Sequence, residues 1–176
     1  MNKKNLFVII AIFWLVIIGG FVAYKEFTLK TGDEILLKTL PVDPRDLFRG
    51  DYVILRYEIG TINASKPSYQ DFDFEEGDKI YTLLSIDDDN IATMTDISKN
   101  KPEDGKFLKG TIKGVSSNNR LTIEYGIESY FVPEGEGKAI EKNIRRDEVY
   151  VKVAVDDFGN AVIKSLILDG EKITFW

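Results

Sequence analysis

The chain has 176 residues, a formal net charge of −6, and neither cysteine nor histidine. That length suits one ordinary domain with a short appendage, and the composition excludes disulfides, thiolate nucleophiles, Cys/His zinc sites and histidine as a general base. The charge is uneven: residues 1–30 hold four lysines and one glutamate, which leaves −9 on residues 31–176, a poor match for a phosphate backbone, so no nucleic-acid partner is expected.

The first element is Leu6–Tyr24, LFVIIAIFWLVIIGGFVAY, nineteen residues without a charge. As a helix rising about 1.5 Å per residue it is about 28 Å long, close to the hydrocarbon thickness of a bilayer. A cleaved signal peptide would have a shorter apolar region, about 7–15 residues, and small residues before the cut. Phe21 in Phe21-Val22-Ala23 is too bulky for that role, so the segment reads as a retained transmembrane anchor. Lys3 and Lys4 hold the tail, residues 1–5, on the cytoplasmic side by the positive-inside rule. Residues 25–32 read as a short linker, which keeps the domain that follows, 33–176, close to the outer face of the membrane.

Glu34–Leu40 is strand-like and leads into Pro41–Ile59, PVDPRDLFRGDYVILRYEI. Asp43-Pro44 opens a turn, because proline presets φ for the second turn position. Gly50-Asp51 is a second break, where glycine permits positive φ. From Tyr52 the residues alternate: Val53, Leu55, Tyr57 and Ile59 share one face and are apolar or aromatic, which predicts the core side of one strand. Asn63–Gly77 is polar and acidic and reads as a loop. Beyond it come short alternating runs, Lys79–Ile86, Ile91–Ile97, Phe107–Val115, Arg120–Tyr125, Ser129–Val132, Val149–Val155, Ala161–Leu168 and Glu171–Trp176, with turn-forming residues between them. About nine or ten strands at this spacing predict a sandwich or barrel. One helix interrupts the series from near Gly137, with acids ahead of it and Arg145 and Arg146 at its end, as the helix dipole favours. The expected fold class is therefore all-β: a sandwich or barrel-like extracytoplasmic domain with one short helix, preceded by a single N-terminal transmembrane helix.

Three stretches together resemble one family. Gly50–Tyr57 reads GDYVILRY, the motif that names the GDYXXLXY proteins; Gly126–Glu141 (GIESYFVPEGEGKAIE) looks like the second block of that family, and Val151–Leu168 is similar to its closing hairpin. The resemblance implies a membrane-anchored bacterial protein with an extracytoplasmic β-rich domain, a kind sometimes joined to a multi-spanning membrane protein. It brings no activity and no catalytic residues with it.

Two clusters are candidates for binding. Asp43, Arg45, Asp46, Arg49, Asp51 and Arg56 offer guanidinium forks for carboxylate or phosphate, with a charged turn held by its own ion pairs as the structural alternative. Tyr52 faces away from the core side and is free to touch something outside. Tyr130, Glu134 and Glu141 lie in the second cluster, where two acids beside aromatics and glycines could line a cleft; paired carboxylates do hydrolytic work only at a fixed separation with split pKa values. Asp87-Asp88-Asp89-Asn90 lacks the length, central glycine and closing glutamate of a calcium loop, so no metal and no cofactor is expected. A serine–lysine peptidase is disfavoured, because no serine lies between Tyr24 and Asn63. The functional expectation is a non-enzymatic, membrane-anchored binding or accessory protein that partners a multi-spanning membrane protein. The alternatives are a carboxylate-based envelope hydrolase and a small-ligand sensor.

Overall fold

The computed structural model describes residues 3–40, 52–64, 74–116, 118–133, 149–168 and 170–173. A helix, α1 (Lys3–Thr31), precedes twelve strands among the described residues: β1 (Asp33–Leu40), β2 (Tyr52–Ile54), β3 (Arg56–Tyr57), β4 (Thr61–Asn63), β5 (Lys79–Ile86), β6 (Ile91–Ser98), β7 (Lys106–Val115), β8 (Arg120–Glu124), β9 (Ser129–Phe131), β10 (Val149–Val155), β11 (Ala161–Leu168) and β12 (Glu171–Lys172). The expected β-rich architecture is thus what the chain adopts. The helix expected from Gly137 lies outside the described residues.

Ten strands form one mixed sheet in the order β12-β11-β10-β1-β6-β5-β7-β8-β4, with β3 also paired to β1. Every pairing is antiparallel except β1 with β6. β3 meets the last residues of β1, Thr39 and Leu40, and β4 meets β8. A single 3-10 turn, Glu58–Gly60, links β3 to β4. The run of strands from β1 through β6, β5, β7, β8 and β4 is thus led back toward β1 by the chain itself, with β4 as the last strand of the sheet. β10, β11 and β12 extend from the other edge of β1. β2 and β9 form a separate pair, with Val53 opposite Tyr130.

The strands read as alternation demands. Ile35 and Leu37 of β1, Ile80 of β5, Leu108 and Ile112 of β7, Leu121 and Ile123 of β8 and Val149, Val151 and Val153 of β10 all point into one core. Three buried hydroxyls are bonded inside it. Thr39 Oγ1 donates to the Val149 carbonyl at 2.7 Å. Thr82 Oγ1 and the Tyr125 hydroxyl lie 2.8 Å apart, and Tyr125 donates to the Ile59 carbonyl at 2.8 Å. Among the described residues no buried side-chain nitrogen or oxygen lacks a partner, so the core carries no desolvation penalty from an orphaned polar atom.

Two expectations are corrected. Tyr52–Ile59 is not one strand: β2 bonds to β9, β3 bonds to β1, and Leu55 between them turns its amide to the Glu128 carbonyl at 2.8 Å. The core face is as alternation predicts, because Val53, Leu55, Tyr57 and Ile59 are all buried. Residues 25–31, read as linker, are helical, since no glycine or proline occurs between Tyr24 and Gly32 to stop α1.

α1 is long and apolar enough to cross a membrane, and none of its most apolar stretch is buried against the rest of the protein. Its C-terminal end is docked on the sheet. Thr28 is 1% exposed. The Tyr24 hydroxyl donates to the Asp156 carboxylate and accepts from Asn160 Nδ2 at 2.9 Å. Gly32 comes so close that a Cβ there would stand 2.6 Å from the Thr28 carbonyl oxygen and 2.9 Å from that of Val155. Only glycine permits this joint.

Candidate functional site

A cleft opens at the end of β1 remote from the helix, about 23 Å from Asp33 along the seven residue steps of the strand. Its volume is about 500 Å³, within the range of ligand-sized pockets. One wall is apolar, with Leu40, Leu55 and Ile123; the rim carries Arg56, Lys113, Thr122 and Glu124; Glu128 lines it from the turn between β8 and β9.

Local chemistry holds these groups in place. The turn after β8 needs Gly126 at φ +79°, a conformation that a side chain disfavours. Glu128 closes that turn by accepting the Tyr125 amide on Oε1 at 2.6 Å. Two residues of Gly50–Tyr57 then fasten the same turn. The Leu55 amide donates to the Glu128 carbonyl at 2.8 Å, and the Tyr57 hydroxyl donates to the Ile127 carbonyl at 2.6 Å. Leu55 and Tyr57 are 1% and 3% exposed. The first two blocks noted in the sequence are thus neighbours in space, and one of them sets the position of the other.

The electrostatics are divided. Burial raises the Glu128 carboxyl above the ordinary glutamate range, against the opposing pull of the amides that it accepts. A carboxyl raised by desolvation in a cleft is a feature that functional sites share. Lys113 forms an ion pair with Glu124 at 3.0 Å, and that hydrogen bond raises its ammonium above the usual lysine value. Arg56 is exposed at the rim and takes part in none of the salt bridges among the described residues. Burial, with the nearby Glu128 charge, pushes the Tyr57 phenol far above its ordinary value, so it stays a donor. The cleft can therefore receive a ligand with an anionic group for Arg56 and a donor or cation for Glu128.

The sequence-predicted residues divide as follows. Arg56 lies on the cleft. Tyr52 heads β2, with its Cα opposite that of Phe131, and its side chain is outside the description. Tyr130 is half-buried opposite Val53, where burial raises its phenol. Asp43, Arg45, Asp46, Arg49, Asp51, Glu134 and Glu141 lie outside the described residues. The Asp87 carboxylate accepts the amides of Asp89 and Ile91 at 3.0 and 2.8 Å, the structural task of an aspartate in a tight turn. Among the described residues no group of three or more carboxylates is arranged to hold a metal ion. Glu128, Glu124 and Lys113 were not singled out in the sequence. The one signal for Glu128 is an acid in the glycine-headed turn Gly126-Ile127-Glu128.

The sequence model of the GDYXXLXY protein family matches residues 14–166. The chain belongs to the GDYXXLXY family. No protein of curated function and no solved structure is significantly similar to it. The GDYXXLXY motif has a structural meaning here: its Leu55 and Tyr57 build the core beneath the cleft and tie down the turn that presents Glu128.

Proposed function

We propose that this GDYXXLXY protein is a single-pass binding protein of the bacterial cytoplasmic membrane, its N-terminus inside and its β domain outside, and that the Arg56–Glu128 cleft receives a polar segment of a multi-spanning membrane protein. The observation that carries this reading is the cleft itself: an exposed guanidinium on one side, a half-buried carboxyl on the other, and a floor fastened by the motif residues. Its position supports a protein segment over a lipid as occupant, because it lies at the end of β1 remote from the helix. The absence of histidine and cysteine from the chain supports binding over the commonest forms of nucleophilic catalysis.

The test exploits a chain without cysteine. Full-length protein with Thr61→Cys at the rim, carrying a photo-crosslinker, is irradiated in native membranes. One multi-spanning protein is expected, and its capture is expected to fall strongly when Arg56→Ala or Glu128→Gln is added. Capture of nothing specific, or capture unaffected by either change, refutes the reading. Reaction of the same thiol with a membrane-impermeant reagent on intact cells tests the orientation.

A second reading draws on the raised Glu128 carboxyl with Glu124 in the same cleft: an acid/base pair that hydrolyses an envelope polymer. Turnover of purified cell-wall glycan that disappears in Glu128→Gln would favour it over the binding role.

A further inference from the structure

We infer that the turn between β10 and β11, Asp156–Asn160, rests on the lipid surface and places Phe158 among the headgroups of the bilayer crossed by α1. The inference rests on the reading of α1 as membrane-spanning and adds a second, lateral contact to it. The uncharged run ends at Tyr24, a residue type that sits at the headgroup level of membrane helices. The Tyr24 hydroxyl is hydrogen-bonded to both Asp156 and Asn160, so the turn lies at the depth of the last membrane residue. The domain cannot swing the turn away, because Thr28 is buried beneath the sheet and Gly32 touches the Val155 backbone.

The turn is closed by its own hydrogen bonds. Asp156 Oδ1 accepts the amides of Phe158 and Asn160 at 2.9 and 2.8 Å. Burial alone would raise that carboxyl, but the bonds from Tyr24 and Asn160 hold it below the usual aspartate range. Gly159 sits at φ +80°, and its carbonyl accepts the Lys109 amide at 2.8 Å. On this frame Phe158 is 60% exposed. Lys101 Nζ stands 5.0 Å from its ring centroid and 5.8 Å from that of Phe107. A phenylalanine ring with a lysine beside it suits a surface that lies in the membrane–water boundary. Asp157, Glu103 and Asp104 crowd the same end of the domain, so the contact draws on the ring and not on attraction to anionic lipid.

The experiment uses the full chain in phosphatidylcholine vesicles, with Phe158→Cys as the sole cysteine, labelled with an environment-sensitive fluorophore. Lipid spin-labelled near the headgroup is the quencher. Asn118→Cys, in the turn between β7 and β8 at the cleft end, is the aqueous control, and Ile12→Cys within α1 is the membrane control. Quenching about twofold or more stronger at 158 than at 118 is expected, with no increase when anionic lipid is added. If 158 behaves like 118 while 12 is quenched, the lateral contact is refuted and the anchor stands. With the label moved to the exposed neighbour, Asp157→Cys, so that Phe158 is kept, quenching that needs anionic lipid, or that is unchanged by adding Phe158→Ser, refutes the aromatic basis. If 12 itself is not quenched, the membrane-spanning reading falls and this inference falls with it.

Discussion

Replacing Tyr57 by phenylalanine removes one oxygen from the centre of the structure and changes almost nothing else. The ring stays, so no cavity opens and the packing of Leu55 and Ile59 is undisturbed. What is lost is the donor to the Ile127 carbonyl, a bond of 2.6 Å at a residue 3% exposed. A buried carbonyl left without its partner costs about 1–3 kcal/mol. For a domain of this size each kcal/mol lowers Tm by about 3 °C, so Tyr57→Phe should lower it by about 3–9 °C. Urea denaturation of the full chain in detergent micelles, followed by circular dichroism in the strand region, measures the same quantity as a shift in midpoint at constant slope. The Glu128 turn should also loosen, since Tyr57 is one of its two ties to the motif. Combined with Glu128→Gln, the two changes should therefore show a coupling of about 0.5 kcal/mol or more. A loss below about 0.5 kcal/mol, within the spread of surface substitutions, would refute the claim that this hydroxyl holds the turn.

Glu128→Gln should be as stable as the parent or more stable at neutral pH. The parent carboxyl is raised in the fold, so its ionised form is disfavoured there and stability falls as pH rises through that raised value. The amide escapes this cost, and its advantage should vanish once pH drops below the ordinary carboxylate value of about 4.3; an advantage that grows on acidification would show the sign to be wrong. Gly32→Ala forces a Cβ to within 2.6 Å of one backbone oxygen and 2.9 Å of another, and overpacking of this kind costs about 1–3 kcal/mol. The variant should be cut by protease between residues 28 and 33 where the parent resists, and equal resistance would show that the joint tolerates opening. Gly110→Ala sets a methyl 2.5 Å from Ile123 Cγ2 and 3.0 Å from the Tyr125 ring. Tyr125 cannot retreat without breaking its bonds to Thr82 and the Ile59 carbonyl, so a fall in urea midpoint matching about 1–3 kcal/mol is expected. An unchanged midpoint would mean that the core beside Gly110 is loosely packed.

The sequence by itself determined the parts of this protein that depend on local pattern. Nineteen uncharged residues in a row read as a helix suited to a bilayer, because hydrophobicity and helix length are properties of the segment alone. The bounds of the runs Lys79–Ile86, Val149–Val155 and Ala161–Leu168 matched those of β5, β10 and β11, since a strand with one buried face repeats every two residues; the bulges at Leu83/Leu84 and Lys152/Val153, which interrupt that repeat, had no local sign. The same rule named Val53, Leu55, Tyr57 and Ile59 as core. Pairing was not legible, because hydrogen-bond partners lie far apart in the chain. That is why Tyr52–Ile59 read as one strand although β2 and β3 serve two sheets, and why the return of β3 to β1 had no local sign.

Tertiary structure alone decided the cleft and the posture of the domain. Arg56 stood out as a charge, but Glu128 gained its meaning only when folding half-buried it beside the motif and against the Tyr125 amide. Lys25–Thr31 looked like a linker by its charges, yet it continues the helix, and the Tyr24, Asp156 and Asn160 bonds fix the sheet to it across more than a hundred residues of sequence. Periodicity reports which face of an element is oily; where two such faces meet, and which polar groups are trapped between them, is settled by contacts that no window of sequence contains.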